Sequence, residues 1–158
     1  MTSEARDETI TYRMASVDDV PALAALRWEM EAERRDATLA SETYIAAYDT
    51  AIRGEIEHGT YRAWLAESGG EAVACVVLVS WMMPPHFDAL YRRRGSVSSV
   101  YCRPAFRRQG ITRRLMELLI AHAREQEVGR LVLWASDIGR PLYESLGFIP
   151  SRGMELNL

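Results

Sequence analysis

Lysine is absent from this chain: all 19 of its basic residues are arginine. That rules out a Schiff-base lysine and the lysine of a phosphate-binding P-loop. Cysteine is scarce. Cys75 and Cys102 are the two present, with no C-x-x-C pair and no secretory signal, so two reduced thiols in a cytosolic protein are expected. No apolar run approaches the roughly 20 residues that a membrane-spanning helix needs. The start, "MTSEARDETITYRM", is too polar for the core of a signal peptide. Net positive charge is missing too, the formal charge being −3. Sequence-independent affinity for a polyanion needs a basic surface, so nucleic acid is not an expected partner, and neither is a membrane.

What is present suits one globular domain over residues 1–158, with residues 1–8 expected to be frayed. Apolar residues make up 48% of the chain and charged residues 26%, ordinary values for a protein with a buried core. "TITYRM" alternates as a strand does. Ser16 and Asp19 then form a capping-box pair at the head of a helix running past Trp28. "SETYIAAYDTAIRGEIEHG" reads as a second helix, capped by Ser41 and closed by Gly59. In "YRAWLAESGGEAVACVVLVSWM", two β-rich runs flank a Ser68-Gly69-Gly70 turn, a hairpin signal. "SVSSVYCR" is a further strand, stopped by Pro104. From Arg108 to about Glu127, apolar residues recur at helical spacing through Ile111, Leu115, Leu118 and Leu119. "GRLVLWA" has the continuous apolarity of a strand buried on both faces. "GRPLYESLGF" is a short helix ended by Gly147, and "RGMELNL" a last strand. A meander followed by a β-α-β-α-β half predicts an α/β fold with a mixed, mostly antiparallel central sheet flanked by helices.

The stretch "YCRPAFRRQGITRRLM" sets five arginines around Gly110 where a strand passes into a helix. The first N–H groups of a helix lack intrahelical partners and carry the positive end of its dipole. A glycine in that first turn costs roughly 0.5–1 kcal/mol against alanine, and it lets a phosphate approach the backbone. Arg107 and Arg108 add guanidinium forks suited to phosphate oxygens. A solvated helix terminus with incidental arginines is the alternative. Arg103, Arg113 and Arg114 are expected to face solvent, as are Arg92, Arg93 and Arg94 in the loop.

These residues resemble the acetyl-CoA motif of the GNAT-type N-acetyltransferase superfamily, Gln/Arg-x-x-Gly-x-Gly/Ala, matched here by residues 107–112. Thr112 departs from the usual Gly or Ala. "GRPLYESLGF" is similar to the superfamily's second conserved block, in which a tyrosine on a short helix precedes a Leu-Gly-Phe entry. The likeness is dense from about Ser96 to Leu158 and rests on element order alone over residues 9–81.

The resemblance implies a GNAT-like fold and acetyl-CoA as co-substrate, with no metal. It implies pyrophosphate anchoring by the amides of Gln109, Gly110, Ile111 and Thr112, helped by Arg107 and Arg108. Val100, Tyr101 and Cys102 would pair their free backbone groups with the pantetheine arm. Ser136 stands where many relatives have a cofactor-contacting asparagine. Tyr143 is the implied general acid, donating to the CoA sulfur. A glutamate often serves as base on the strand before the motif, yet "SVSSVYCR" holds no acid. His86, Asp88, Glu29 and Glu33 are alternatives, and a water chain is another. Trp28, Glu29, Trp81 and His86 are candidates for the acceptor pocket. A covalent route through Cys102 is weighed against a buried structural thiol, and the latter is preferred.

The expected activity is therefore acetyl transfer from acetyl-CoA to a primary amine, on a small molecule or peptide, by direct attack in a ternary complex. The alternative is an acyl-CoA-binding sensor or interaction module with reduced chemistry. Dimers are common in the resembling family, so a homodimer stays open.

Overall fold

In the sheet, strand order follows chain order. β1 (Thr11–Met14), β2 (Tyr61–Ser68), β3 (Glu71–Met82), β4 (Arg93–Cys102) and β5 (Val128–Val132) lie side by side in that sequence. α1 (Val20–Ala32) and α2 (Ser41–His58) link β1 to β2, α3 (Ile111–Glu125) links β4 to β5, and α4 (Arg140–Ser145) follows β5. The structure is a computed structural model describing residues 9–85, Phe87, Leu90 and residues 93–158. The expected frayed start at residues 1–8 lies outside the described residues, as do His86, Asp88 and Arg92.

The first three strand pairings are antiparallel and the last, β4 with β5, is parallel. A parallel neighbour needs a crossover, which α3 supplies. This is the mixed sheet flanked by helices expected above. Gly69 and Gly70, with φ of 57° and 83°, turn the β2–β3 hairpin in two residues, both in the left-handed region.

Alternation along the strands builds two cores, one on each face. Trp64, Ala66, Ala74, Val76 and Leu78 pack with Ile111, Leu115, Met116 and Leu119 of α3. Ala63, Leu65, Cys75 and Val77 pack with Val20, Leu23 and Leu26 of α1. In β4 the alternation breaks once. Cys75 pairs with Tyr101 but Val77 pairs with Ser98, so two residues of β4 oppose Val76. Ser99 in this bulge takes φ 48°. The extra residue puts Val97 in the α3 core but Tyr101, four positions on, in the α1 core, and returns Cys102 to the α3 side. Without it, Val97 and Tyr101 would share a face. The bulge is held from the α1 side: Arg27 Nη1 donates to Ser99 Oγ at 2.7 Å, and the Cys75 thiol donates to Ser99 O at 3.3 Å.

The Ser16–Asp19 pair is in place, with Ser16 N–H donating to Asp19 Oδ2 at 2.7 Å, ahead of one 3₁₀ turn and then α1. Arg13 grips Asp19 and Glu67, each at 2.7 Å. The Arg13 hydrogen bonds hold the Asp19 carboxyl at about 2, against an ordinary 3.8. A carboxyl depressed in this way stabilises the fold above its ordinary pKa, and the contribution is lost as pH falls through the depressed value. We expect Asp19→Asn to cost about 1 kcal/mol at neutral pH. In urea unfolding, the gap from wild type should close as pH is lowered from about 4 to about 2.

Five expectations need correction. Arg93 and Arg94, expected to face solvent in a loop, are the first residues of β4, where Arg94 is buried. α2 starts at Ser41 itself, with Ala40 at the cap position and no side-chain cap. α3 starts at Ile111, not Arg108, because the preceding residues leave helical geometry. β5 is not buried on both faces: Gly129 and Arg130 are exposed, and β5 is the sheet's edge. The last strand does not form, residues 148–158 being irregular. Met154, Leu156 and Leu158 alternate as strand residues do, yet all three are exposed. With neither buried area nor ladder partners, nothing offsets the entropy of ordering the segment.

Candidate active site

The sheet opens where β4 outruns β5. The two strands pair from Arg93↔Val128 to Ser96↔Val132 and no further. At this stem they are pressed close around Gly95, where a Cβ would lie 2.6 Å from Leu78 Cδ1 and 2.9 Å from Leu131 Cδ2. Beyond Ser96, β4 continues to Cys102 with β3 on one side. Its other edge, facing the space next to α3, has no strand partner among the described residues.

The arginine-glycine turn closes the wide end of this opening. A 3₁₀ turn over Pro104–Phe106 leads to Arg107 in extended geometry (φ −69°, ψ 159°). Arg108 and Gly110 then take φ of 66° and 78°. Gly110 is thus the residue before α3 and not part of its first turn. Its left-handed backbone is what calls for glycine, since a Cβ there would meet no atom within 4 Å. Two left-handed residues within three positions make a tight turn whose N–H groups suit an anion. Among the described residues, no N–H from 108 to 113 donates to a protein acceptor, and the first bond of α3 runs from Arg114 N to Gly110 O at 3.0 Å.

These parts wall a cleft of about 250 Å³ lined by Cys102, Phe106, Arg107, Arg108, Gly110, Ile111, Thr112, Arg113 and Leu142. Six of the expected cofactor residues meet there. Gln109 points away, its side-chain amide 3.5 Å from Ala105 O. Val100 packs on the α3 core. Tyr101 pairs with Cys75 of β3, and its side chain crosses to the end of α1 and donates to Glu33 Oε1 at 2.7 Å. Ser136 Oγ accepts from Gly139 N–H at 3.2 Å, so it shapes the turn into α4. Arg108 has no ion-pair partner among the described residues. Arg107 donates through Nε to Cys102 O at 2.8 Å and pairs with Glu33 at 2.7 Å, its guanidinium 5.7 Å above the Tyr101 ring.

Next to Leu142 stands Tyr143, 9% exposed. Its ring meets Phe148 edge-on at 6.1 Å. Gly139 leaves room for that ring, since a Cβ there would lie 2.9 Å from Tyr143 Cε2. The phenol has no hydrogen-bond partner among the described residues, yet it is not a sealed, unsatisfied group. It therefore reaches open space. Burial pushes its pKa up, with Arg34 opposing, so the hydroxyl keeps its proton at neutral pH.

No free carboxylate stands ready as a base on α1. Glu29 accepts two bonds from Arg103, at 2.9 and 2.8 Å, and Arg103 also pairs with Glu71 at 2.5 Å. Arg103, expected in solvent, is thus tied between α1 and β3. Hydrogen bonds from Arg107 and Tyr101 hold Glu33 below its ordinary range. Burial raises the Cys102 thiol, which keeps it protonated and un-nucleophilic. Trp28 donates its indole N–H to Leu39 O at 3.1 Å, closing the start of the α1–α2 connection. Trp81 pairs with Arg94, whereas Cys102 pairs with Ala74 at the other end of β3. The two sites are separated by roughly 25 Å of strand. The structure therefore gathers the phosphate-turn residues, packs Tyr143 in the same core as Cys102 and Ile111 without its lining the cleft, and leaves Trp81 at the opposite end of the sheet.

Phe106, Leu142 and Arg113 also line the cleft, and the sequence alone does not single them out. Arg113 Nη2 donates to Ser145 Oγ at 2.7 Å, tying α3 to α4. The only cue to them in the sequence is adjacency to the two motif blocks.

The model of the acetyltransferase (GNAT) family matches residues 22–148. A GCN5-related N-acetyltransferase from Ralstonia eutropha JMP134 superposes with a TM-score of 0.83 at 26% identity, over 95% of this chain and 99% of that one. A protein from Clostridium acetobutylicum, described as a predicted acetyltransferase and solved with acetyl-CoA, gives 0.83 at 22% identity over 94% and 96%. Ribosomal-protein-alanine N-acetyltransferase from Brucella melitensis biovar Abortus 2308 gives 0.66 at 22% identity over 95% and 99%. No curated protein matches the chain. With the family model spanning both the phosphate turn and the tyrosine helix, the chain belongs to the GNAT family of acetyltransferases.

Proposed function

We propose that the protein transfers the acetyl group of acetyl-CoA to a primary amine by direct attack within a ternary complex. One juxtaposition carries this reading: a cleft walled by N–H groups without protein acceptors, beside a phenol that keeps its proton and has no partner among the described residues. The residues fit the co-substrate. The N–H groups of residues 108–113, at the positive end of α3, suit a diphosphate. Arg108, with no carboxylate partner among the described residues, is placed to add a charge-assisted bond. The edge of β4 from Val100 to Cys102 has no strand partner among the described residues and offers main-chain groups to an amide-bearing arm, with Cys102 O already accepting from Arg107 Nε.

When bound, acetyl-CoA supplies an acyl group already activated as a thioester. The protein's part is then positional and acid–base. Its backbone fixes the anionic end of the ligand, and the β4 edge aligns the arm. Tyr143 holds a proton on Oη and delivers it to the departing sulfur. With Glu29 and Glu33 both engaged by arginines, the acceptor amine arrives neutral or loses its proton to water. The same pairing favours a second reading, an acyl-CoA-binding module with reduced chemistry.

Calorimetric titration with acetyl-CoA, followed by thiol detection across amino acids, polyamines, aminoglycosides and peptides, separates the two. We expect binding, and thiol release with at least one amine class. Binding without release from any amine leaves only the binding module. No binding at high micromolar concentration overturns both.

A further inference from the structure

At the opposite end of the sheet from the cleft lies a second pocket, of about 230 Å³. That is well above the ~30 Å³ one water takes up in the liquid. Its polar walls are His58 at the end of α2, Arg62 on β2, Ser80 on β3, Arg93 on β4, and His122 and Gln126 at the end of α3. Among the described residues, no carboxylate lines it. The chain's acids outnumber its bases, 22 to 19, and seven arginines elsewhere are ion-paired: Arg13, Arg27, Arg35, Arg53, Arg103, Arg107 and Arg114. Among the described residues, Arg62 and Arg93 have no such partner. Arg62 spends one nitrogen on Ile56 O, at 2.9 Å, at the end of α2. His122 packs edge-on against Trp64 at 5.2 Å. Its pKa is lowered by burial first and then by Arg62, with Glu125 opposing and Arg93 adding. Burial and the two guanidinium groups thus act together to disfavour the imidazolium, with Glu125 offsetting part of the effect.

Five elements of the fold thus bring two guanidinium groups, two imidazoles, a hydroxyl and an amide to one concave surface whose described lining holds no counter-charge. Such a set matches the donors that oxyanions require. We propose that this pocket is an anion site for a small phosphate-bearing ligand, separate from the acetyl-CoA cleft. Arg93 pairs with Val128 at the stem where β4 and β5 are joined. An occupant bridging Arg62 and Arg93 would clamp β2 to the stem from which the cleft opens.

The test uses the full chain with inorganic phosphate and with pyrophosphate, followed by ³¹P NMR and thermal unfolding. CoA is present at saturation, so that the cleft is blocked. We expect both probes to bind and raise the unfolding temperature at about 10 mM. Arg93→Gln and His58→Gln should each weaken binding at least about tenfold, the loss expected for a charge-assisted contact. Arg108→Gln, in the cleft, should leave it unchanged. Stronger binding of pyrophosphate than phosphate would point to a diphosphate ligand, and the reverse to a single phosphate group. Absence of binding under CoA saturation overturns the proposal, as does binding that Arg108→Gln abolishes and Arg93→Gln does not. The CoA-saturated titration of the wild type decides the matter even if a variant fails to fold. Should the chain not bind CoA at all, the Arg93→Gln and Arg108→Gln comparison still separates the two pockets.

Discussion

Tyr143→Phe lowers turnover by at least about 100-fold, the lower end of what a positioned general acid contributes. Acetyl-CoA affinity should stay within about twofold, because the lost group acts on the departing sulfur and not on the anchor. The substitution is clean for structural reasons. The ring is buried against Phe148 and fills the space left by Gly139, and phenylalanine keeps it. The hydroxyl has no partner among the described residues, so no internal hydrogen bond to them is broken. Stability should therefore change by less than about 0.5 kcal/mol. The pH profile gives a second readout. Burial raises the phenol above its ordinary value of 10.0, so wild type should hold its rate until the phenol deprotonates well into the alkaline range, and the variant should lose that limb. Steady-state kinetics with any amine that gives thiol release checks both. Unchanged turnover would remove Tyr143 from the chemistry.

Gly110→Val is the second large effect, and it falls on binding. At φ 78° a β-branched residue is a strained outlier. Holding it in the left-handed region costs about 1–2 kcal/mol. The turn relieves that strain by leaving the conformation, which disperses the N–H groups of residues 108–113. Losing two charge-assisted bonds of about 1.5–3 kcal/mol each predicts acetyl-CoA affinity lowered by 100-fold or more. The cause is backbone geometry and not crowding, because a Cβ at this position would have no atom within 4 Å. The unfolding temperature should fall only slightly. Titration calorimetry and thermal unfolding together check this, and a variant that binds as wild type does would show that the turn's shape is not what holds the ligand.

Much of this is legible without any coordinates. The double glycine of the hairpin, Gly59 at the end of α2 and the Ser16–Asp19 pair are local signals, read within a few residues of where they act. The arginine-glycine turn and the tyrosine helix are legible for the same reason. Arg108 shows the limit: nothing in its identity announces φ 66°, and so periodicity places the start of α3 three residues early. Partnerships across long separations are out of reach. Arg103 and Glu29 stand 74 positions apart, and so do Arg107 and Glu33. Both pairings depend on how α1 packs over the end of β4. Composition groups Trp81 with the acceptor, whereas register decides which end of the sheet a β3 residue occupies. The tail "RGMELNL" has a strand's pattern, but a pattern becomes a strand only where a neighbour offers its backbone.

The bulge at Ser99 has a further consequence, for which changes β4 can tolerate. The strand changes parity once, between Val97 and Tyr101. A one-residue deletion there would leave the strand nearly as long but exchange the contents of the two layers. The Tyr101 phenol would move under α3 and the Cys102 thiol under α1, and Glu33 would lose the hydroxyl it accepts from. Point substitutions along β4 alter one contact at a time. A change in its length rewires both faces at once, so a one-residue insertion or deletion between Arg93 and Cys102 should cost more stability than most point substitutions there.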